Sequence, residues 1–154
     1  MELGKEIKQA SFKSEYTKAI LNIVFTGNWL MSNMIHILKP YDLSPQQYNV
    51  LRILRGRYPT AASLSEIQER MLDRMSNATR LVEKLKQKKY LTRIEVASNR
   101  RKVAICITRA GLDLLSSIES KVESLEKELN TKIIIEDIIE LNRVLDKVRD
   151  RDEK

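Results

Sequence analysis

The 154-residue sequence is poor in cysteine, glycine and proline. Its one cysteine, Cys106, excludes an intramolecular disulfide and is typical of a reducing compartment. Four glycines and three prolines predict few loops and long helices. No apolar run approaches the roughly 18 residues of a membrane span, and the opening MELGKEIKQASFKSEY has no apolar stretch typical of a signal peptide. We therefore expect a cytoplasmic protein without a membrane partner.

The residue types that carry catalysis or metal binding are also scarce. The sequence has one histidine, His36, and it has no Cys/His cluster and no glycine-rich phosphate loop. It offers no close pair of carboxylates in an apolar context and no spaced set of metal ligands. The sequence therefore predicts no enzyme, no catalytic residue, no metal and no cofactor.

Positive charge is concentrated in one part of the chain. Residues 70–102 contain 11 Lys or Arg and 3 Asp or Glu, and the rest of the chain is nearly neutral, although the net charge is +7. One basic segment on a neutral scaffold is typical of a nucleic-acid-binding protein. A solvated basic face is the alternative. A membrane-surface helix is disfavoured because the apolar residues of this segment are needed for a core.

Periodicity and capping patterns predict the first helices. Residues 15–38 are apolar around most of the circumference, which predicts a long helix packed on more than one side. Ser44 with Gln47, and Ser63 with Glu66, have the spacing of capping boxes, so that a helix is expected to start at each pair.

Residues 73–89, DRMSNATRLVEKLKQKK, predict a further helix. Its apolar residues recur at helical spacing: Met75, Ala78, Leu81, Val82 and Leu85. Its first turns contain Ser76, Asn77, Thr79 and Arg80, although serine, asparagine and threonine are mediocre helix formers. One interpretation is structural, with Asp73 or Ser76 capping the helix and the others facing solvent.

The pattern then changes from helix to strand and back. Two short strands joined through SNRR (98–101) predict a hairpin. Thr108 is expected to cap a helix that runs to about Asn130, and a last helix follows. The predicted fold is mainly α with a small β-hairpin, a winged helix-turn-helix flanked by long helices. We divide it into 1–40 (N-terminal helical part), 41–108 (winged domain) and 109–154 (C-terminal helices).

The second helix of a helix-turn-helix enters the major groove and reads base edges with its first turns. Ser76, Asn77, Thr79 and Arg80 are short or carry donors suited to this task, and they are the base-reading candidates. Lysines suit phosphates, as do arginines on a wing. The backbone candidates are Lys84, Lys86, Lys88, Arg100 and Arg101.

The sequence resembles the MarR family of transcriptional regulators across about residues 15–150. The segments that carry the resemblance are LSPQQYNVLRILRG, LSEIQERMLDRMSNATRLVEKLKQKKYLTR and NRRKVAICITRAG. The resemblance implies a homodimer with interleaved terminal helices and one winged helix per subunit on DNA. It also implies that residues 1–40 and 109–154 make the dimer interface. The family's wing usually begins with an aspartate, and this chain has Asn99 there, which weakens an aspartate–arginine anchor.

The resemblance also implies release from DNA by a small-molecule effector or by cysteine oxidation. The oxidation-sensing branch has its cysteine near the start of the first long helix, and this chain has none there. Cys106 lies in an apolar strand run, where a buried structural thiol is expected. His36 is interpreted as structural before any sensing role. The candidates for an effector cleft are Trp29, His36, Tyr41 and Tyr48.

The predicted function is sequence-specific DNA binding as a homodimeric repressor on a pseudo-palindromic operator. The alternative is a helical dimer that docks on an acidic partner protein, which needs only the charges and not the small polar residues at 76–79. Non-specific nucleic-acid binding, which depends on the lysines alone, is a third possibility.

Overall fold

The computed structural model describes residues 2–96 and 99–150, and their side chains except those of residues 95, 96 and 99–102. The helices are α1 (Leu3–Glu6), α2 (Glu15–Leu38), α3 (Pro45–Arg55), α4 (Leu64–Arg70), α5 (Ala78–Gln87), α6 (Arg109–Asn130) and α7 (Ile135–Arg149). The strands are β1 (Leu91–Val96) and β2 (Asn99–Ile107), and a 3₁₀ turn at Lys39–Tyr41 follows α2. The prediction of a mainly helical winged fold with one hairpin is confirmed.

The chain forms two compact units, residues 1–115 and 116–154. The core of the first unit lies where α3, α4, α5 and the hairpin meet. Its fully buried side chains include Val50, Leu51, Leu54, Ile67, Val82, Leu85, Ile105 and Leu115. Helices α3 and α5 contribute residues three or four apart, so that one face is buried and the opposite face is left for solvent or a partner.

Local caps fix where these helices begin. Ser44 Oγ accepts from the Gln47 N–H at 3.1 Å, and Gln47 Oε1 accepts from the Ser44 N–H at 3.0 Å. Ser63 and Glu66 form the same reciprocal pair at the start of α4, at 3.2 and 2.7 Å. Thr108 Oγ1 accepts from the Gly111 N–H at 3.1 Å. All three predicted starts are confirmed, because each cap joins two residues that are only three apart in the sequence.

The hairpin is antiparallel, with Leu91 opposite Ile107 and Ile94 opposite Ala104. Ala62 adds a bridge to β2 on the side opposite β1, since its N–H and carbonyl both bond with Ile105 at 2.9 Å. The register shifts between Glu95 and Val96.

The predicted loop SNRR (98–101) is too long. Strand β2 already begins at Asn99, so that Arg100 and Arg101 belong to the strand, in the irregular part of the ladder. The side chains of these three residues, and all of Ser98, lie outside the described residues.

Helix α5 begins later than the spacing of its apolar residues predicts. Its first residue is Ala78, its N-cap is Asn77, and neither Asp73 nor Ser76 fills that position. Met75 was predicted on the buried face, but its side chain is 95% exposed because residues 71–77 form a non-helical joint. The buried face of α5 is therefore shorter than predicted and consists of Ala78, Val82 and Leu85.

The second unit, by itself, leaves much apolar surface open. Its helix α7 has no buried residue. The exposed apolar side chains in this unit are Ile134, Ile135, Ile139, Leu141, Val144 and Val148. Within the part of the chain that the structure describes, no helix is long and apolar enough to cross a bilayer.

The start of α6 packs closely on Tyr90, in the turn between α5 and β1, and we expect Gly111→Ala to disrupt this packing. A Cβ at Gly111 would meet the Tyr90 carbonyl oxygen and lie 2.7 Å from Ile107 Cγ1. That same carbonyl accepts the Thr108 N–H at 3.0 Å, so it cannot withdraw without losing this bond. Overpacking of this kind is expected to lower the free energy of unfolding by about 1–3 kcal/mol or more, measured by urea denaturation.

Gly56→Ala is the matched control. Gly56 has an ordinary φ of −65°, and an added Cβ would lie 3.6 Å from the carbonyl oxygens of Arg52 and Ile53. Alanine restricts the unfolded chain, so a gain of about 0.4–1 kcal/mol is expected. Equal stability of the two variants would show that the α6 junction tolerates a side chain.

Candidate nucleic-acid interface

The joint, residues 71–77, connects α4 to α5 and is held by side chains from other elements. Asn49 Oδ1, on α3, accepts the Leu72 N–H at 3.0 Å. Within the joint, Asp73 Oδ1 accepts the Met75 N–H at 3.0 Å and its Oδ2 accepts the Ser76 hydroxyl at 2.6 Å. The joint therefore has one defined backbone path, which fixes where α5 starts.

Gln68, at the end of α4, makes further hydrogen bonds to the joint. Its Nε2 donates to the carbonyl oxygens of Arg74 at 3.0 Å and Ser76 at 3.2 Å, and its Oε1 accepts the Ala78 N–H at 3.3 Å. One amide thus satisfies two carbonyls of the joint and one of the orphan N–H groups at the start of α5. Sequence reasoning missed Gln68, because a half-exposed glutamine on a short helix has no distinguishing periodicity.

Asp73 is the charged centre of the joint. Hydrogen bonds from the Ser76 hydroxyl and then from the Met75 N–H hold the pKa of this carboxyl below its ordinary value. A lowered folded-state pKa means that ionisation of Asp73 stabilises the fold above the pKa of the unfolded chain. That contribution is lost as the pH falls through the lower folded-state pKa.

The four base-reading candidates lie together at the start of α5, and two of them already have partners. The Ser76 hydroxyl donates to Asp73, and Asn77 Oδ1 caps the helix by accepting the Arg80 N–H at 3.0 Å. The Asn77 side chain also carries an NH₂ group with two donors. Thr79 and Arg80 are exposed. Base reading by any of the four remains a prediction.

The exposed face of α5 is polar and basic along its length. Arg80, Lys84 and Gln87 are spaced four and three apart, which places them on one stripe opposite the buried Val82. Lys86 is also exposed, but it lies roughly 100° or more around the helix from this stripe. The sequence analysis did not include Gln87, although its position seven residues after Arg80 places it on the same face. Its amide has donors and an acceptor that suit a base edge.

Lys88 has a partner that the sequence did not predict. Its ammonium donates to Asp42 Oδ2 at 2.7 Å and also to the Asp42 carbonyl oxygen, 46 residues away. The hydrogen bond from Lys88, together with its charge, lowers the pKa of the Asp42 carboxyl. The end of α5 is thereby tied to the segment between α2 and α3, and a phosphate would have to compete with Asp42 for this lysine.

An open groove lies beside the start of α5. Its volume is about 620 Å³, and it is lined by Leu64, Ser65, Gln68, Arg74, Met75, Ser76, Asn77, Ala78 and Thr79. The lining mixes polar side chains with the apolar Leu64, Met75 and Ala78, and the joint contributes Arg74 as well as Met75. Three of the four predicted base-reading residues, Ser76, Asn77 and Thr79, line this groove.

An ion pair between described residues links the wing to α5. Arg93 Nη1 on β1 lies 3.2 Å from Glu83 Oε1 on α5. This pair sets the strand beside the helix, so that hairpin and helix form one surface. Contacts of Arg100 and Arg101 with DNA remain predictions, since their side chains lie outside the described residues.

The effector-cleft candidates differ in burial. Trp29, 42% exposed, and His36, also exposed, lie on α2 of the single chain, and the structural role expected of His36 stays a prediction. Tyr41 is half-buried in the 3₁₀ turn. Tyr48 is buried in the core with Arg52 over its ring, 5.8 Å from the centroid. Their role in a cleft stays a prediction.

Cys106 is half-buried in β2. It lies opposite Thr92 in the antiparallel register of the hairpin. Among the residues that the structure describes, no group of three or more His, Cys, Asp or Glu side chains could hold a metal ion.

The fold and this site together define a winged helix-turn-helix protein. The sequence profile of the MarR family matches residues 41–102, which span α3 to the wing. Over 114 residues the chain is 29% identical to the HTH-type transcriptional regulator PecS of Dickeya dadantii, covering 73% of this chain and 68% of that protein.

Solved structures agree with that likeness. A MarR transcription factor from Planctomyces limnophilus is 29% identical with a TM-score of 0.68, over 88% of this chain and 98% of that one. The S. aureus MepR–DNA complex shares the fold, with a TM-score of 0.76 at 19% identity over 90% of this chain and 97% of that one. The family profile, the curated relative and the solved structures together support the MarR family of DNA-binding, winged helix transcriptional regulators.

Proposed function

We propose that this regulator is a homodimeric repressor that reads a pseudo-palindromic duplex with helix α5 of each protomer, and that a small-molecule effector lowers its affinity for DNA. The observation that carries the proposal is the division of α5 into two faces. Ala78, Val82 and Leu85 are buried in the winged domain, whereas Arg80 and Lys84 face outward.

A major groove about 12 Å wide accepts one helix. With its buried face on the winged domain, α5 presents Thr79 and Arg80 at the end that approaches base edges. Arginine can form a bidentate pair with guanine, and the threonine methyl can contact thymine. Lys84 and Lys86 follow on the same helix, where ammonium groups suit phosphates.

Exposed apolar surface supports the dimer. On α2 the exposed apolar side chains are Tyr16, Ile20, Ile23, Val24, Phe25, Trp29, Met31 and Ile35. On α7 the residues Leu141, Val144 and Val148 form a second apolar stripe. Patches of this kind mark association surfaces in soluble proteins. We assign residues 1–40 and 109–154 to dimerisation and 41–108 to DNA binding.

Selection of bound duplexes from genomic fragments tests this proposal. We expect recovered fragments to share an inverted repeat with half-sites about one helical turn, or roughly 34 Å, apart. Recovery of no preferred sequence would favour the docking of an acidic protein partner, which the family relationship does not favour. Small molecules that release the recovered duplex would then identify an effector, and substitution of Trp29 or Tyr41 would test the cleft.

Lys84 and Lys88 are expected to differ in their effect on salt dependence. Each phosphate contact contributes about 0.9 to the slope of log affinity against log salt. Lys84→Gln should therefore reduce the slope of the dimer by about 2, one contact in each protomer. Lys88→Gln should reduce it less, because the Lys88 ammonium is paired with Asp42 at 2.7 Å.

Fluorescence anisotropy titrations at several salt concentrations measure these slopes. Lys127→Gln is the control, since Lys127 is an exposed lysine on α6 outside the winged domain. If Lys88→Gln lowers the slope as much as Lys84→Gln, then Lys88 leaves Asp42 on DNA binding and contacts a phosphate.

A further inference from the structure

Two large apolar side chains are almost fully exposed in the joint. Leu72 is 89% exposed and Met75 is 95% exposed. Met75 has a fixed backbone, because its N–H bonds to Asp73 Oδ1 at 3.0 Å and the next residue, Ser76, bonds to the same carboxylate. Met75 also lines the groove beside the start of α5, whereas Leu72 does not line it.

The position of Met75 does not serve the core. A methionine side chain that stays in water gains nothing from burial, and the neighbouring Arg74, Ser76 and Asn77 are polar. The apolar side chain of Met75, beside the polar Ser76 and Asn77, suits a ligand that presents an apolar group next to hydrogen-bonding groups. The major-groove edge of thymine has this character, because it presents a C5-methyl group beside the O4 acceptor.

We propose that Met75 is a specificity-determining residue that contacts the C5-methyl group of a thymine in each half-site. The proposal rests on the proposed docking of α5 in the major groove. The thioether is long, unbranched and polarisable, so it can adapt to a methyl group on a base edge. A base contact by Met75 would extend the base-reading surface from α5 back into the joint, because Met75 lies two residues before the N-cap Asn77.

Deoxyuridine substitution tests the contact directly. A duplex selected by the wild-type protein is synthesised again with each thymine of a half-site replaced in turn by deoxyuridine, which removes only the C5-methyl group. At the contacted position, wild-type affinity is expected to fall about fourfold, the factor that corresponds to burying one methyl-sized group. Met75→Ala should bind the thymine and deoxyuridine duplexes equally, and Met75→Leu should retain a preference for thymine.

Leu72→Ala is the matched control, because Leu72 is as exposed as Met75 but lies outside the groove. It should leave the thymine preference of the wild-type protein unchanged. If Met75→Ala lowered the affinity for the thymine and the deoxyuridine duplexes by the same factor, the thymine preference would persist without Met75. That result would overturn the proposal and assign Met75 to sugar or backbone contact. Sequence-specific binding with no sensitivity to any deoxyuridine would also overturn it while leaving the proposed function intact, whereas absence of duplex binding would refute the proposed function itself.

Discussion

Replacing Arg80 by alanine is expected to lower affinity for the selected duplex by about 30-fold to 10⁴-fold, with little change for unrelated DNA. A good bidentate contact between arginine and guanine contributes about 1–3 kcal/mol of discrimination, and a homodimer makes the contact twice. Arg80 is exposed on the first turn of α5, and its own N–H is held by the Asn77 cap at 3.0 Å. The base of this long side chain therefore has a fixed position from which the guanidinium can reach a base edge.

Competition binding against scrambled duplexes measures the ratio of specific to non-specific affinity. Arg80→Lys keeps the charge but lacks the planar fork, so it should lose most of the discrimination as well. Arg109→Ala removes the same charge from an exposed residue that pairs with Asp113 on α6, and it should leave the ratio unchanged. Equal loss for selected and scrambled duplexes would show that Arg80 contacts phosphate and carries no sequence information.

Local features of the fold could be predicted from the sequence because they depend on neighbouring residues. The capping boxes at Ser44 and Ser63 involve residues three apart, and the structure has both. The long helix predicted at 15–38 has these bounds in the structure. Its unusually apolar circumference was readable too, although the single chain leaves most of it exposed.

The sequence predicts a tight joint at residues 72–74, but its full extent and path could not be predicted, because they depend on hydrogen bonds from residues outside it. Helical spacing extended the apolar face of α5 back to Met75, but Asn49 and Gln68 bind the joint in a non-helical path. Several residues there can cap a helix. Asp73 binds the Ser76 hydroxyl instead, and Asn77 becomes the cap.

The basic residues of the candidate site show the same limit. Their clustering in 70–102 was visible from composition alone. Composition does not show that Lys88 pairs with Asp42, which is 46 residues away. It also treats Gln87 as a neutral residue, although this glutamine is exposed on the same face as Arg80 and Lys84. The charge pattern identifies the basic surface, but only the three-dimensional contacts show which of its residues are already paired and which face solvent.

Replacing Val144 by aspartate is expected to convert the dimer to monomers and to abolish binding to the full inverted repeat. Val144 is 42% exposed at the centre of the α7 stripe, between Leu141 and Val148. A two-fold interface contains each substitution twice, and burying an isolated carboxylate costs several kcal/mol per copy. The dissociation constant of the dimer should therefore rise by at least about 1000-fold, measured by sedimentation equilibrium.

Asn142→Asp adds the same charge to the same helix and serves as the control. Asn142 is exposed and lies two residues from Val144, on a different face of α7. The Asn142→Asp protein should remain a dimer with unchanged affinity for the inverted repeat. The Val144→Asp monomer should keep the circular dichroism of a folded helical protein and bind a single half-site weakly, because its winged domain is intact. A Val144→Asp protein that stays dimeric would place the interface on another surface, with the exposed apolar face of α2 as the remaining candidate.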